Sequence, residues 1–261
     1  MGWGDELMVT GRVRELQRTD PRPVKILYER GRWHEAWEHN PRIAPKGAAG
    51  EFQELRPRTD YLRPYMRAKS EQRYTWKAYG PPVGELYLTD KEKAFGALYA
   101  GRIVIEPNLK GGASINKDWG RERWGVLVGR MRERGLAATQ LGPANTRRLG
   151  GAEFIETNNM RYAAAVLARA RAAVLPEGGQ HHVAAAVGCP AVVIFGGYIA
   201  PAVTGYPWQS NLFVHDEQHP LGCGWRVRCA HCAAAMARIH PERVLQELEA
   251  LLVSTSRDLA A

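Results

Sequence analysis

Cysteine is scarce in this sequence, and long apolar runs, a basic and apolar leader and internal repeats are missing. Four cysteines in 261 residues are too few for the disulfide framework that stabilises small secreted domains. No stretch approaches the eighteen or so apolar residues of a transmembrane helix, and the N-terminus does not resemble a signal peptide. We therefore expect a cytoplasmic protein that does not insert into membranes.

Acidic residues are outnumbered by basic ones. The chain has 27 Asp and Glu against 36 Lys and Arg, which gives a formal net charge of +9 and a pI of about 9.6. Such an excess indicates a polyanionic partner, such as nucleic acid, nucleotide phosphates or an acidic glycan. A basic surface that serves only solubility explains the charge equally well.

Short apolar strands alternate with amphipathic helices after residue 102. The segments "RIVIE", "AATQL", "AAVLP" and "AVVIF" predict strands, and residues 119–134, 160–172 and 180–187 between them predict helices. This alternation is typical of an α/β fold with a parallel sheet covered on both faces. The earlier pattern is irregular, with a helix predicted over 6–17 and a strand over 24–28, and a last helix is predicted over 241–253.

Three of the predicted strands end in glycine-rich loops. These are "PNLKGGASINKDWG", "EGGQHHVAAAVG" and "GGYIAPAVTGYP". Ligands in parallel α/β sheets bind at the carboxyl ends of the strands, where lysines and helix N-termini can receive phosphate. The loops therefore predict a nucleotide site, although glycines that only make tight turns remain the alternative.

Three segments resemble the family 9 glycosyltransferases, the heptosyltransferase-like group. The segment "ARARAAVLPEGGQHHVAAAVGCPAVVIFG" resembles that family's C-terminal signature of strand, Asp-Ser-Gly, His, Gly-x-Pro and Phe-Gly. The segment "NKDWGRERWGVLVGRMRERG" is similar to its Lys-x-Trp segment and helix, and "GWGDELMVTG" to its N-terminal Gly-Asp loop. The chain looks like a compact, phage-type member.

The resemblance implies two Rossmann-like domains of the glycosyltransferase B type. A reduced acceptor-side domain would span residues 1–88, and a nucleotide-sugar-binding domain residues 89–261. A strand precedes the Gly-Asp loop in that family, so either this chain begins upstream or its small domain has fewer strands.

The resemblance also implies inverting transfer from a nucleotide sugar to a hydroxyl, with no catalytic metal or other cofactor. Asp5 would be the general base, although an acid that only caps the helix is the alternative. The implied donor-binding residues are Lys117, Glu177, Gly178, Gly179, His182, Gly196 and Gly197. Because Glu177-Gly178-Gly179 stands where the family has Asp-Ser-Gly, the sugar and the base of the donor are not carried over.

Residues 55–79 mix cations with aromatic side chains. The segment "LRPRTDYLRPYMRAKSEQRYTWKAY" holds seven Lys and Arg against two acids, interleaved with five aromatic residues. Cations for phosphates and aromatics for base faces are typical of a nucleic-acid groove. We therefore expect DNA as the partner and 5-hydroxymethylcytosine, or another 5-hydroxymethylpyrimidine, as the acceptor, extruded from the duplex. The predicted acceptor-binding residues are Trp3, Arg63, Tyr65, Arg67, Arg73 and Trp76.

Other interpretations of this segment and of the chain stay open. The aromatic residues can equally form a core with solvated arginines around it, and an acidic glycan such as a lipopolysaccharide core would also suit a basic cleft. A noncatalytic nucleic-acid-binding relative is a further alternative. A dinucleotide-dependent oxidoreductase is disfavoured because no G-x-G-x-x-G follows a strand.

The remaining motif is a cysteine and histidine cluster in "HPLGCGWRVRCAHC". Cys223, Cys229 and Cys232 follow His219, and His231 lies between the last two cysteines. Three thiolates and one imidazole would form a closed structural zinc site, for which we expect Cys223, Cys229, Cys232 and His219 as ligands. Reduced thiols without metal are the alternative.

Overall fold

The computed structural model describes residues 2–27, 33–56 and 63–258, with side chains described as far as residue 254. Its first helix, α1 (Trp3–Leu16), follows Gly2, whose backbone is extended. Asp5 and Glu6 lie in the first turn, where acidic side chains are favourable near the positive end of the helix dipole. The helix buries Leu7, Met8, Val9 and Val13. The sequence predicted this helix three residues too late.

Two small sheets follow α1. Strands β1 (Val24–Ile26) and β2 (Gln53–Leu55) pair in parallel, and β3 (Met66–Lys69) and β4 (Tyr74–Trp76) form an antiparallel hairpin. Tyr28, at the end of the predicted first strand, and Tyr61, in the predicted nucleic-acid segment, lie outside the described residues.

Six parallel strands form the central sheet. They are β5 (Ile103–Ile105), β6 (Ala138–Gly142), β7 (Glu153–Glu156), β8 (Ala172–Pro176), β9 (Ala191–Gly196) and β10 (Ser210–Phe213). Their order across the sheet is β10-β9-β8-β5-β6-β7, so the predicted α/β class is confirmed. The chain winds outward to β7, then returns to the other side of β5, and the order reverses between β5 and β8. A ligand crevice forms at such a point in open α/β sheets.

Seven further α-helices follow α1 in the part of the chain that the structure describes. They are α2 (Asp90–Ala97), α3 (Arg121–Glu133), α4 (Met160–Leu167), α5 (Gly179–Ala186), α6 (Pro201–Thr204), α7 (Ala230–Arg238) and α8 (Pro241–Asp258). As predicted, α3 buries Trp124, Leu127, Val128 and Met131 on one face. Among the described residues, no helix combines the length and apolar composition that crossing a bilayer requires.

The sheet is buried on both faces. Alternate residues of β5 point to opposite sides, so Val104 joins one core cluster while Ile103 and Ile105 join the other. The first cluster also contains Leu7 of α1 and Trp76 of β4. The N-terminal elements therefore share a core with the central sheet, and the division at residue 88 stays a prediction.

A buried ion pair joins α4 to α2 and also contacts the backbone at residues 35 and 87. Arg161 of α4, 3% exposed, binds Glu92 of α2 through Nε (2.6 Å) and Nη2 (2.8 Å). The same guanidinium donates to the carbonyl oxygens of Glu35 (3.0 Å) and Tyr87 (2.6 Å). The Glu92 carboxylate and the two carbonyl oxygens together satisfy the buried guanidinium. These hydrogen bonds therefore hold residues 35 and 87 against α4.

Candidate active site

A cavity of about 630 Å³ lies between the ends of β5 and β8 and the N-terminus of α1. Glu106 follows β5 directly and Glu177 follows β8, and both line the cavity. Its position is the crevice at which the strand order reverses, where open α/β sheets bind their ligands. Its volume is in the range of small-molecule sites.

Asp5 projects into this cavity from the first turn of α1. The residue is 6% exposed, and its Oδ1 accepts a hydrogen bond from the Tyr65 hydroxyl at 2.8 Å. Arg63 binds the same carboxylate through Nε (3.2 Å to Oδ2) and Nη2 (3.1 Å to Oδ2). Nε of Arg63 also lies 3.3 Å from Oδ1, so these contacts take up about all four acceptor sites of the two carboxylate oxygens, and a substrate hydroxyl would share or replace one of them.

The partners of Asp5 stay in fixed protonation states. Burial and the neighbouring Asp5 raise the pKa of Tyr65 well above its usual value, so the phenol remains a donor. Burial alone would lower the pKa of Arg63, but Asp5 raises it above the ordinary value. The carboxylate is therefore held by a permanent cation and a neutral hydroxyl.

Glycine allows α1 to approach α5 closely at this point. A Cβ atom on Gly4 would collide with the ring of His182. On the other side, a Cβ on Gly179 would lie 3.5 Å from Cβ of Trp3. The close packing of the two helix N-termini brings Asp5 to the cavity that α5 borders.

Lys117 reaches the cavity from the end of a short 3₁₀ helix (Ile115–Lys117). Its ammonium forms an ion pair with Glu177 and lies 5.3 Å from the ring centroid of Tyr198. Burial alone would raise the pKa of Glu177, but Lys117 brings it below its ordinary value. Thr204 donates to the other carboxylate oxygen at 3.1 Å. Lys117 is thus held in place while its side chain is 20% exposed to the cavity side.

Two buried histidines stand in the first turn of α5. His181 accepts the Gly178 N–H at Nδ1 (2.9 Å), and its Nε2 lies 3.0 Å from the carbonyl oxygen of Thr204, so Nε2 carries the proton. His182 shares a hydrogen bond with the Tyr206 hydroxyl through Nδ1 (2.8 Å). Burial lowers the pKa of both rings, most strongly that of His182. Both are neutral near pH 7, and His182 lines the cavity.

The third glycine-rich loop departs from the sequence-based expectation. Gly178 and Gly179 line the cavity as expected, but Gly196 and Gly197 are not part of its lining. A Cβ on Gly196 would overlap Met236 of α7, and one on Gly197 would lie 2.8 Å from Ala235 and from His231. These two glycines are therefore needed for the close packing of α7, so the structure assigns them to that contact instead of the donor pocket.

Three of the six predicted acceptor residues reach the cavity: Trp3, Arg63 and Tyr65. The aromatic ring of Tyr65 is in the core, with 8% of the residue exposed, so only its hydroxyl faces Asp5. Arg67 is exposed on β3 outside the cavity lining.

The other two predicted acceptor residues support the hairpin β3–β4. Trp76 is 9% exposed and donates through Nε1 to the carbonyl oxygen of Tyr198 at 3.0 Å. Arg73 donates to the carbonyl oxygen of Cys223 at 2.7 Å and lies over the ring of Trp225. Both residues join the hairpin to the C-terminal part of the chain, and the face of Trp76 is not open to a nucleic-acid base.

Glu106 is a site residue that the sequence pattern did not identify. Its carboxylate accepts the N–H of Asn108 at 2.9 Å and the side-chain amide of Gln180. Burial raises its pKa to about 7 against the lowering effect of these hydrogen bonds. In the sequence, Glu106 is the last residue of the predicted strand "RIVIE". An acidic side chain at the end of that strand is the one sequence feature that points to a site residue.

The cysteines form a cluster away from the cavity, with a different histidine from the one expected. The ligand atoms of Cys223, Cys229, His231 and Cys232 all lie within 4.8 Å of one another. The Sγ atoms of Cys223 and Cys232 are 2.9 Å apart, and Nδ1 of His231 is 3.9 Å from Sγ of Cys232. His219 is outside this group of four, because its Nδ1 binds Asp216 at 2.8 Å. His231 of α7 belongs to the cluster instead, and the ring of His219 lies beside it with the ring centroids 5.1 Å apart.

The raised pKa of Glu106 predicts a pH-dependent stability. The folded chain binds a proton there more tightly than the unfolded chain, so this contribution is full below the ordinary pKa of 4.5 and is lost as the pH rises through about 7. We expect Glu106→Gln to gain stability relative to the natural chain over that window, on the order of 2 kcal/mol. Urea unfolding at several pH values measures this difference.

An exposed glutamate provides the control for this experiment. The Glu54 carboxylate is 57% exposed and pairs with Arg56 on the surface, so Glu54→Gln should give a much smaller change with pH. If the two variants depend on pH in the same way, Glu106 does not bind its proton as described.

The fold is shared with solved glycosyltransferases. A family 9 glycosyl transferase from Veillonella parvula DSM 2008 matches at 13% identity over 97% of this chain and 95% of its own, with a TM-score of 0.65. The iron-containing dodecameric glycosyltransferase TibC from enterotoxigenic E. coli H10407 matches at 14% identity over 97% and 74%, with a TM-score of 0.62. At these identities the likeness establishes the α/β glycosyltransferase fold.

A third solved structure is considerably longer than this chain. The ADP-heptose LPS heptosyltransferase II of E. coli matches at 20% identity over 68% of this chain with a TM-score of 0.50. The match spans 56% of that enzyme, so the present chain covers about half of its length. A comparison with curated proteins found no significant match.

The sequence itself matches the model of one protein family. The model of glycosyltransferase family 9 (heptosyltransferase) matches residues 77–220. That range is more than half of the chain and contains the cavity residues Lys117, Glu177 and His182. On this evidence the chain belongs to glycosyltransferase family 9.

Proposed function

We propose that this protein transfers a sugar from a nucleotide-sugar donor to a hydroxyl acceptor, with inversion at the anomeric carbon. The observation that carries the proposal is one cavity lined by both an anchored carboxylate, Asp5, and a lysine ammonium, Lys117. The first can accept a proton from an acceptor hydroxyl, and the second can neutralise a departing diphosphate. Membership of family 9 supports the same chemistry.

The donor diphosphate would lie between Lys117 and the N-terminus of α5. The first backbone N–H groups of a helix are unpaired within the helix and face anions favourably. Gly178 and Gly179 keep that end of α5 free of side chains and line the cavity. Neutral His182 adds no charge there, so the compensating cations would be Lys117, which is paired with Glu177, and Lys110, which also lines the cavity.

Asp5 would act on the acceptor. As the acceptor oxygen forms its bond to the anomeric carbon, the bond from that carbon to the diphosphate oxygen breaks and its electron pair leaves with the nucleoside diphosphate. The acceptor proton moves to a carboxylate oxygen of Asp5. Arg63 and Tyr65 hold that carboxylate in one orientation, which lowers the entropic cost of the transfer.

We propose an ADP-sugar as the first donor to test. The E. coli heptosyltransferase II, which shares the fold of this chain with a TM-score of 0.50, is described as an ADP-heptose enzyme. Glu177 and Gly178 differ from the family signature beside the donor, so other nucleotides and sugars belong in the same panel.

We propose a 5-hydroxymethylpyrimidine in DNA, 5-hydroxymethylcytosine first, as the acceptor. The support is electrostatic: the chain carries a net charge of +9, and Arg67, Lys69 and Lys77 are exposed on and beside the hairpin β3–β4. Burial of Tyr65 and Trp76 removes the aromatic part of the sequence argument. An acidic glycan such as a lipopolysaccharide core is therefore the second candidate, because its anions would meet the same cations.

Replacing the proposed base tests the activity. Asp5→Asn keeps the shape of the side chain but removes its proton affinity, so we expect transfer to fall by about 10²–10⁴-fold while donor affinity changes little. Mass spectrometry after incubation with a nucleotide-sugar panel measures transfer to hydroxymethylated DNA, unmodified DNA and lipopolysaccharide core.

Asp20→Asn is the matched control, because Asp20 forms only a surface ion pair with Arg22. It should retain full transfer. A mass gain on hydroxymethylated DNA alone supports the DNA acceptor, and a gain on the glycan alone replaces it. No transfer with any donor and acceptor, or full activity of Asp5→Asn, would falsify the proposed mechanism.

We also propose that the cysteine cluster holds a structural zinc ion. Cys223, Cys229, Cys232 and His231 offer three sulfurs and one nitrogen, the donor set of closed tetrahedral zinc sites. His231 places Nδ1 toward the thiols while its Nε2 binds Asp216 at 3.0 Å, the outer hydrogen bond that usually orients a metal-bound imidazole. The ion would brace the loop and take no part in sugar transfer.

Metal analysis of the purified protein tests this site. We expect about one zinc atom per chain and a large loss of zinc in Cys232→Ser. Cys189→Ala is the control, since Cys189 is a buried free thiol outside the cluster and should keep the metal. TibC is described as iron-containing, so iron is quantified in the same samples. A chain without bound metal would contradict the proposal.

A further inference from the structure

Asn116 connects the donor-binding lysine to the cysteine cluster. The residue precedes Lys117 in the 3₁₀ helix and is 4% exposed. Its Nδ2 donates to the carbonyl oxygens of Trp225 and Val227, each at 2.7 Å. Its Oδ1 accepts the N–H of Cys229 at 3.0 Å. One buried amide thus satisfies three backbone groups of the segment that carries Cys223 and Cys229, which we call the cysteine loop (residues 222–229).

The cysteine loop also bonds to the segment that carries Tyr198, whose ring lies near Lys117. The N–H of Cys223 donates to the carbonyl oxygen of Gly197 at 3.0 Å, and the N–H of Gly224 donates to that of Tyr198 at 3.1 Å. The ring of Tyr198 faces the Lys117 ammonium at 5.3 Å. Lys117 therefore stands between two segments, and both are bonded to the same loop.

This arrangement limits where the Lys117 ammonium can lie. A lysine side chain is a flexible four-carbon stem, so its charge is well placed only if its backbone and its surroundings are fixed. The 3₁₀ helix has a single turn and gives little rigidity of its own. The hydrogen bonds of Asn116 hold that turn, and Tyr198 limits the space of the side chain.

We propose that Asn116 is a positioning residue through which the cysteine loop sets the affinity of Lys117 for the donor diphosphate. Metal binding to the cluster would fix the loop, and Asn116 would transmit this order to the 3₁₀ helix. The inference rests on the proposed function, because it assigns the donor diphosphate to Lys117.

A double-mutant cycle tests this coupling. Calorimetric titration with ADP, UDP and GDP measures the affinity of the natural chain, Asn116→Ala, Lys117→Ala and the double variant. Loss of the buried amide should weaken binding about tenfold in Asn116→Ala. Since Asn116 acts through Lys117, adding Asn116→Ala to Lys117→Ala should produce almost no further loss. Equal effects in both backgrounds would overturn the proposal.

Two further variants separate positioning from general destabilisation. Asn40→Ala also removes a buried amide (5% exposed), but in a part of the chain away from Lys117, and should leave nucleotide affinity unchanged. Ser114→Ala removes a 3.4 Å hydrogen bond to the carbonyl oxygen of Trp225 and the 3.3 Å hydrogen bond that the Asn116 N–H donates to Ser114 Oγ at the start of the 3₁₀ helix. It keeps the Asn116 amide and should weaken binding in the same direction by about twofold. This milder variant keeps the test valid if Asn116→Ala folds poorly.

Removal of the metal supplies a second readout. Chelation should weaken nucleotide binding in the natural chain but have little effect in Asn116→Ala, which should still bind metal because its thiols and imidazole are intact. An equal effect of chelation in both proteins contradicts the coupling. If the natural chain binds no nucleotide at all, the proposed function fails and this inference with it. If Lys117→Ala weakens binding but Asn116→Ala does not, only the inference fails.

Discussion

The close packing of two helix N-termini is the constraint on which the site depends. Gly4 leaves room for the His182 ring, and Gly179 lies so near Trp3 that a Cβ there would be in van der Waals contact with it at 3.5 Å. A larger side chain at Gly4 would separate α1 from α5, because the ring of His182 occupies the place of a Cβ. This one contact brings a carboxylate from the first helix of the chain to the crevice between β5 and β8. Asp5 and the N-terminal residues of α5 therefore line the same cavity.

Internal ion pairs prepare the cavity for a charged ligand. Asp5 is bound by Arg63, and Lys117 is paired with Glu177, so the Asp5 carboxylate and the Lys117 ammonium are each held in one orientation. Such preorganised charges lose little energy to rearrangement during a reaction. The buried histidines of α5 stay neutral and support the helix without adding charge. The cysteine loop is hydrogen-bonded to Asn116, the residue before Lys117, and so connects the cysteine cluster to the segment that carries this lysine.

Much of the fold was predictable from the sequence because buried parallel strands are continuous apolar runs. β5, β8 and β9 followed directly from such runs. Asp5, Lys117 and His182 line one cavity, and the roles that the family resemblance implies for them stay predictions. The sequence pattern did not predict β7 and β10. These two strands lie at the edges of the sheet, where strands carry polar residues and the apolar run disappears. Glu106 was missed because its raised pKa comes from burial that only tertiary structure provides. Gly196 and Gly197 were assigned to the pocket because glycine in a loop has the same appearance whether a ligand or a helix such as α7 approaches it.

In the proposed mechanism, one crevice holds the donor diphosphate within reach of both Lys117 and Asp5 of α1. An experimental structure of the protein with a bound nucleoside diphosphate tests it most directly. We expect the phosphates to lie at the N-terminus of α5 and to contact Lys117. We also expect Asp5 to face the β-phosphate side of the cavity. A nucleotide bound elsewhere, or one whose phosphates point away from α5 and Lys117, would contradict it.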